Sequence, residues 1–186
     1  MNWISIFPLL MAIIFSMLVY KRIEKKGFYE ELIFSSVLAG LFFGLFFWFF
    51  SMYFLSGLFY VFGGAFLESL IKSAAVHLRK DRRYSVFFGL GFGAVIPALS
   101  IFYSVLTLNT AICGILFSLA SLLFHSSTSI KLSHGNAWNA IFLVFVLTIP
   151  YNLLLWFAVM PYYIEIMIIS VFYSALIFRR YFPLLT

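Results

Sequence analysis

Residues Leu32 to Val76 form an apolar stretch of about 45 residues, which only Glu68 and Lys72 interrupt with charge. A helix crosses the hydrocarbon core of a bilayer with about 20 residues, so this stretch predicts two helices joined by a turn near residues 50–53. Of the 186 residues in the chain, 65% are hydrophobic and 10% are charged. A soluble domain has about 25% charged residues, and a disordered chain has few apolar ones. The composition therefore excludes both classes and predicts an integral membrane protein.

The other apolar runs bring the predicted number of transmembrane helices to seven. The predicted spans are about residues 3–20, 32–50, 53–76, 84–106, 109–130, 137–159 and 162–178. The first is interpreted as a permanent span, because no cationic residue precedes it and no small-residue cleavage site follows it. The predicted fold class is all-α, a polytopic bundle in which residues 1–186 form a single transmembrane domain.

The basic residues cluster on one side of the predicted spans. Eleven of the 12 Lys and Arg residues fall in the loops 21–31, 77–83 and 131–136 or in the tail from Arg179. The positive-inside rule then places the N-terminus outside and the C-terminus in the cytoplasm. The net charge of +6 is thus explained by membrane topology and does not indicate binding of nucleic acid. We predict a multi-pass protein of the cell membrane whose partner is the lipid bilayer. Function must lie in the bundle, at its ends or in contacts with other membrane helices.

Three different spans place polar or small residues at a similar depth. Counted from the cytoplasmic edge at 1.5 Å per residue, Glu68 lies about 13 Å deep, Gly91 about 12 Å and His125 about 9 Å. Ionisable groups inside a membrane are costly and tend to mark function. We therefore predict an intramembrane polar cluster of Glu68, Lys72 and His125, to which Asn152 is added from the sixth span.

Each member of this predicted cluster also has a purely structural interpretation. Glu68 and Lys72 are four residues apart, so they can pair on one helix face, or Lys72 can extend to the interface above a protonated Glu68. His125 precedes a run of hydroxyl residues that can satisfy its ring. Asn152 lies beside Pro150 and can bond a backbone group that the proline frees.

Glycines in the fourth span predict close helix packing. Gly89, Gly91 and Gly93 lie within an apolar run, so they do not form a nucleotide-binding loop. Gly89 and Gly93 instead form the small-xxx-small face by which membrane helices approach closely. Pro97 follows one turn later and is expected to free a backbone carbonyl and kink the helix.

The sequence offers no set of metal ligands. Cys113 is the single cysteine, and His125 and His134 are nine residues apart across a helix end. We therefore predict no metal site and no cofactor.

The order of these motifs resembles a known superfamily of membrane proteins over roughly residues 55–180. It comprises the CAAX prenyl proteases, the PrsW-type and YhfC-type membrane proteases, and the anterior-pharynx-defective scaffold subunit of gamma-secretase. The resemblance rests on Glu68–Lys72, Phe88–Ile96, Leu122–His125 and the turn Pro161–Tyr163. The predicted topology is closest to that of the scaffold subunit, which has seven spans with its N-terminus outside. The resemblance therefore implies the same arrangement for this chain.

Departures from the protease motifs decide which function the resemblance implies. Ser69 stands where the proteases have a second acid, Ile96 where they have Glu or His, and Thr148 where they have a last histidine. The resemblance therefore implies a non-catalytic scaffold or assembly subunit. One alternative is an intramembrane peptidase in which Glu68 activates water and His125 stabilises the oxyanion. Another is a small-molecule carrier or a substrate-binding membrane subunit.

Overall fold

The computed structural model of the chain describes residues 3–23, 29–55, 57–77, 84–102, 107–159 and 163–185, and these ranges contain helices and no strand. Seven α-helices follow one another between two short 3₁₀ turns, Trp3–Ile6 and Phe182–Leu185. The helices are α1 (Phe7–Ile23), α2 (Glu30–Phe54), α3 (Leu58–His77), α4 (Ser85–Phe102), α5 (Leu108–Leu132), α6 (Ala137–Val159) and α7 (Ile164–Tyr181).

The all-helical fold is confirmed, and the described residues form seven helices, of which six, not all seven, qualify as membrane spans by length and composition. Helices α2 to α7 are long and apolar enough to cross a membrane, as in a multi-pass membrane protein. Helix α1 has 17 residues and is shorter than the usual transmembrane length of about 20. Residues 103–106 of the predicted fourth span lie outside the described residues. So do residues 24–28 of the predicted loop 21–31, residues 78–83 of the predicted loop 77–83, and the first two residues of the turn Pro161–Tyr163.

The turn between the second and third helices comes later than predicted. Helix α2 continues through the predicted turn at residues 50–53 and ends at Phe54, and Leu55 adopts an extended conformation. Gly57 follows with a φ of 56°, in the left-handed region that glycine tolerates best. A run of aromatic residues does not stop a helix in lipid, so the glycine marks the turn.

Helix α4 forms the centre of the bundle. In its transmembrane segment 78% of the residues are buried, compared with 22% in α2 and 28% in α7. It packs against α1, α2 and α5, while α5 also packs against α7 and α3 packs against α6. The two helices that carry the predicted polar residues, α3 and α5, are about half buried. Polar groups on their inner faces are therefore shielded from lipid.

The glycines of α4 allow close approach to two neighbours. A Cβ atom at Gly93 would lie 2.7 Å from the Ser121 carbonyl oxygen of α5, and one at Gly89 would overlap the backbone at His125. Gly91 faces the other way, against the backbone of α2 at Val37. The predicted packing face of Gly89 and Gly93 therefore holds α5, whereas Gly91 holds α2.

The backbone of α2 has its own small-residue face. Ser36, Gly40 and Gly44 are buried and recur every four residues, and a Cβ at Gly40 would collide with the α4 backbone at Phe88. The four-residue spacing was visible in the sequence but did not enter the prediction. It explains why α2 packs tightly on α4 although most of its surface is exposed.

Pro97 lies inside α4, which continues to Phe102. Because proline has no N–H, the Gly93 carbonyl lacks its usual helical donor. The Ser121 hydroxyl of α5 donates to that carbonyl at 2.7 Å. The freed group predicted from the sequence is thus bonded by the helix that the glycine face brings close.

Candidate functional site: a buried Glu–Lys–His–Thr cluster

Helices α3 and α5 each present two polar side chains to the same point in the bundle. Glu68 and Lys72 lie one turn apart on α3, and His125 and Thr128 lie one turn apart on α5. Small neighbours let the helices meet here, since Ala65 and Ser69 on α3 are fully buried. The Ser69 hydroxyl donates to the Ala65 carbonyl of its own helix and leaves the acid and the lysine to make the contacts between helices.

Lys72 is the hub of the cluster. Its Nζ atom lies 2.5 Å from Glu68 Oε1, 2.6 Å from His125 Nδ1 and 2.9 Å from Thr128 Oγ1. An ammonium group has three donors, so these three acceptors satisfy it completely. The side chain is 0% exposed. Lys72 therefore points into the bundle and does not extend to the interface, which removes one of the two structural interpretations of this pair.

Glu68 also contacts the imidazole directly. Glu68 Oε1 lies 3.0 Å from His125 Nδ1, and both side chains are about 1% exposed. With Lys72 donating to both groups, the arrangement is consistent with an ionised Glu68, a protonated Lys72 and a neutral His125. The cluster then has no net charge, which is the condition under which buried charges are tolerated.

Aromatic rings enclose the charged atoms. The Lys72 ammonium lies 4.9 Å from the centre of the Phe92 ring and 5.7 Å from that of Phe124, within the range of cation–π attraction. Tyr151 of α6 stacks on Phe124 with ring centres 3.9 Å apart, and its ring meets His125 edge-on at 5.6 Å. The cluster is therefore surrounded by rings from three helices.

Thr128, Phe92 and Tyr151 were not predicted to belong to the site. For Thr128 a signal was present, because it lies three residues after His125 and so shares its helix face. Phe92 lies between two of the predicted packing glycines, but neighbouring positions of a helix point about 100° apart, so the glycines did not indicate its direction. Nothing local singles out Tyr151, since its position depends on how α6 packs.

Three buried polar atoms near the cluster lack a hydrogen-bond partner among the described residues. They are His125 Nε2, Ser129 Oγ and Tyr151 Oη. Buried groups of this kind are uncommon, and each calls for a structural or chemical explanation.

Asn152 lies at a different level of the bundle. Its Nδ2 atom donates to the Val61 carbonyl of α3 at 3.4 Å, so it bonds a neighbouring helix and not the backbone near Pro150. Val61 precedes Glu68 by seven residues, a rise of about 10 Å along α3. The structure therefore brings Glu68, Lys72 and His125 together and places Asn152 about two turns away along α3.

The cluster is enclosed by the bundle, since Glu68 is 1% exposed and Lys72 and His125 are 0% exposed. A cavity of about 480 Å³ lies where α2 ends and α3 begins, away from the cluster. Its lining residues include Tyr60, Ile96 and Phe117. Glu68, Lys72 and His125 do not line it. In the described part of the chain, no group of three His, Cys, Asp or Glu side chains could hold a metal ion. Chemically, the cluster is a saturated ion pair with an imidazole.

No protein-family model, curated protein or solved structure matches this chain.

Proposed function

We propose that the protein is a scaffold or assembly subunit of the cell membrane, in which the buried cluster fixes α3 against α5. The observation that carries this proposal is the saturation of Lys72 by three acceptors at 0% exposure. A group that holds two helices together in this way is poorly placed to act on a substrate. The resemblance of Glu68–Lys72, the glycine face and His125 to the gamma-secretase scaffold subunit supports the same function.

The outer surface of the bundle fits this role. Large apolar side chains on α2, α6 and α7 face outward, among them Phe42, Phe142 and Phe172, each 67% exposed. Such faces contact lipid or the helices of another membrane protein. A rigid interior with apolar faces on several sides is what an assembly subunit requires.

Purification from its own membranes in a mild detergent tests the proposal. The tagged chain is expected to retain a membrane protein partner in fixed stoichiometry. The double variant Glu68→Gln/Lys72→Met should lose that partner in proportion to its loss of thermal stability, because the cluster acts by holding the bundle. A wild-type chain that runs only as a monomer with no membrane partner would contradict the proposal.

One observation favours an intramembrane peptidase as a second candidate. Glu68 and His125 lie 3.0 Å apart, and His125 Nε2 has no partner among the described residues. A carboxylate that activates water and an imidazole that stabilises charge are the minimal groups for such a reaction. Reconstituted protein should then cleave a membrane peptide, and Glu68→Gln should abolish cleavage. Unchanged cleavage in Glu68→Gln would remove Glu68 from the chemistry.

The aromatic cavity favours a third candidate, a carrier or substrate-binding subunit. Its volume of about 480 Å³ lies in the range of small-molecule sites, and Trp48, Tyr60 and Trp156 are among its lining residues. A small solute that binds there should raise the unfolding temperature of the wild type. A variant with Ile96→Trp, which narrows the cavity, should lose that shift.

A further inference from the structure

An apolar groove runs between α1 and α2 on the lipid-facing side of the bundle. It encloses about 890 Å³, and its lining among the described residues comes from these two helices, including Leu9 and Ile13 of α1 and Phe34 and Leu41 of α2. Both helices pack against α4, which holds them side by side. The volume is within the range of ligand sites, of which about 1,000 Å³ is the upper end.

The groove has one charged end and one apolar end. Lys21 near the end of α1 and Glu30 at the start of α2 both line it, and the rest of the lining is almost entirely apolar. The two helices are antiparallel, so these charges lie at the same end. Among the described residues, neither side chain has an ion-pair partner. The groove thus offers a cation and an anion next to an apolar channel.

The length of the groove matches one leaflet of a bilayer. From Leu9 to Lys21 the rise along α1 is about 18 Å, and from Glu30 to Leu41 it is about 16 Å along α2. A leaflet contributes about 15 Å to the hydrocarbon core. A partner's transmembrane helix would need a contact surface of about twice that height. The groove therefore fits a lipid better than it fits a helix.

We propose that this groove binds one phospholipid with an ethanolamine headgroup, whose phosphate contacts Lys21 and whose ammonium donates to Glu30. The acyl chains lie in the apolar part between α1 and α2. The headgroup choice follows from the pair of charges. A phosphatidylglycerol has no cation for Glu30, and the quaternary ammonium of phosphatidylcholine has no N–H to donate. This proposal is independent of the scaffold function.

Native mass spectrometry after incubation with phosphatidylethanolamine, phosphatidylcholine and phosphatidylglycerol of identical acyl chains tests it. The wild type is expected to retain one phosphatidylethanolamine in preference to the other two. Glu30→Gln should reduce this preference about fivefold, as expected for one ionic contact near a membrane surface. Equal retention of the three lipids, or no retention of any, would overturn the proposal.

A matched pair of substitutions locates the lipid. Ile13 lines the groove and is 54% exposed, whereas the adjacent Ile14 is 49% exposed and lies outside the lining. Ile13→Trp should displace the lipid, and Ile14→Trp should leave it bound. If Ile13→Trp does not fold, Met17→Trp fills the same groove from a side chain that is 66% exposed. Full retention of the lipid by a folded Ile13→Trp or Met17→Trp variant would overturn the assignment. So would a Leu38→Cys variant that cross-links to another protein, because the groove would then be occupied by a protein partner and not by a lipid.

Discussion

Glu68 Oε1 lies 3.0 Å from His125 Nδ1, although the two residues are 57 positions apart on different helices. Lys72, one turn further along α3, bridges these two residues. Its ammonium donates to Glu68, His125 and Thr128, and these are its acceptors among the described residues. The hydrogen bonds of Lys72 to His125 and Thr128 join α3 to α5 at the level where Gly89 and Gly93 bring α4 close to α5. Three predictions test what this arrangement contributes, and a fourth tests the membrane topology.

Replacing Lys72 by methionine should destabilise the protein strongly. The substitution keeps the length of the side chain but leaves Glu68 buried without its cation, and breaking a buried ion pair costs about 3–5 kcal/mol. The measurement is the unfolding temperature in detergent. The double variant Glu68→Gln/Lys72→Met should recover part of the loss, because no unpaired charge remains. Lys131→Met, at the partly exposed end of α5, serves as the control and should change little.

Thr128→Val should lower stability more than Thr148→Val, although both threonines are fully buried in helices. Thr128 accepts from the Lys72 ammonium, whereas the Thr148 hydroxyl donates to the Val144 carbonyl of its own helix. Loss of an acceptor leaves one buried N–H of Lys72 unsatisfied, at a cost of about 1–3 kcal/mol. Equal effects of the two variants on the unfolding temperature would contradict the assigned role of Thr128.

Gly93→Ala should destabilise the bundle by about 1–3 kcal/mol through overpacking, since the new methyl group would meet the Ser121 carbonyl oxygen at 2.7 Å. Gly64→Ala is the matched control, because its nearest neighbour is Asn152 Nδ2 at 3.7 Å, an ordinary contact. At that position the higher helix propensity of alanine should leave stability unchanged or raise it by up to about 1 kcal/mol. Thermal unfolding of both variants makes the comparison, and a tolerated Gly93→Ala would refute close packing of α4 on α5.

Cysteine labelling tests the predicted topology. Tyr53 near the end of α2 is 79% exposed, and Asn136 in the α5–α6 connection is also exposed. If the basic loops are cytoplasmic, a membrane-impermeant maleimide should label Tyr53→Cys but not Asn136→Cys in intact cells. Cys113 is 1% exposed and should remain unlabelled in both. The reverse pattern would invert the topology, and labelling of both would refute the count of spans between them.

Much of the fold could be predicted because the thickness of the bilayer sets the length of each spanning helix. A span needs about 20 apolar residues, so the number of helices follows from counting along the chain, and the same count predicts a similar depth for Glu68 and His125. The packing face of Gly89 and Gly93 also follows from the sequence, because a four-residue spacing puts both on one side of a helix. These features depend only on local geometry and on the thickness of the membrane.

Other features depend on contacts between helices and could not be predicted from the sequence. Helices α2 and α4 are similarly apolar, yet one faces lipid and the other is the centre of the bundle, because hydropathy does not distinguish lipid from a protein interior. The inward direction of Lys72, the inclusion of Thr128 and Tyr151, and the pairing of Asn152 with Val61 are likewise decided by packing.

The sequence by itself therefore determined that this chain is a helical protein of membrane-spanning character, and it predicted which polar residues lie at similar depth. Only the tertiary structure decided which of them meet, because depth fixes one coordinate of a side chain and helix packing fixes the other two.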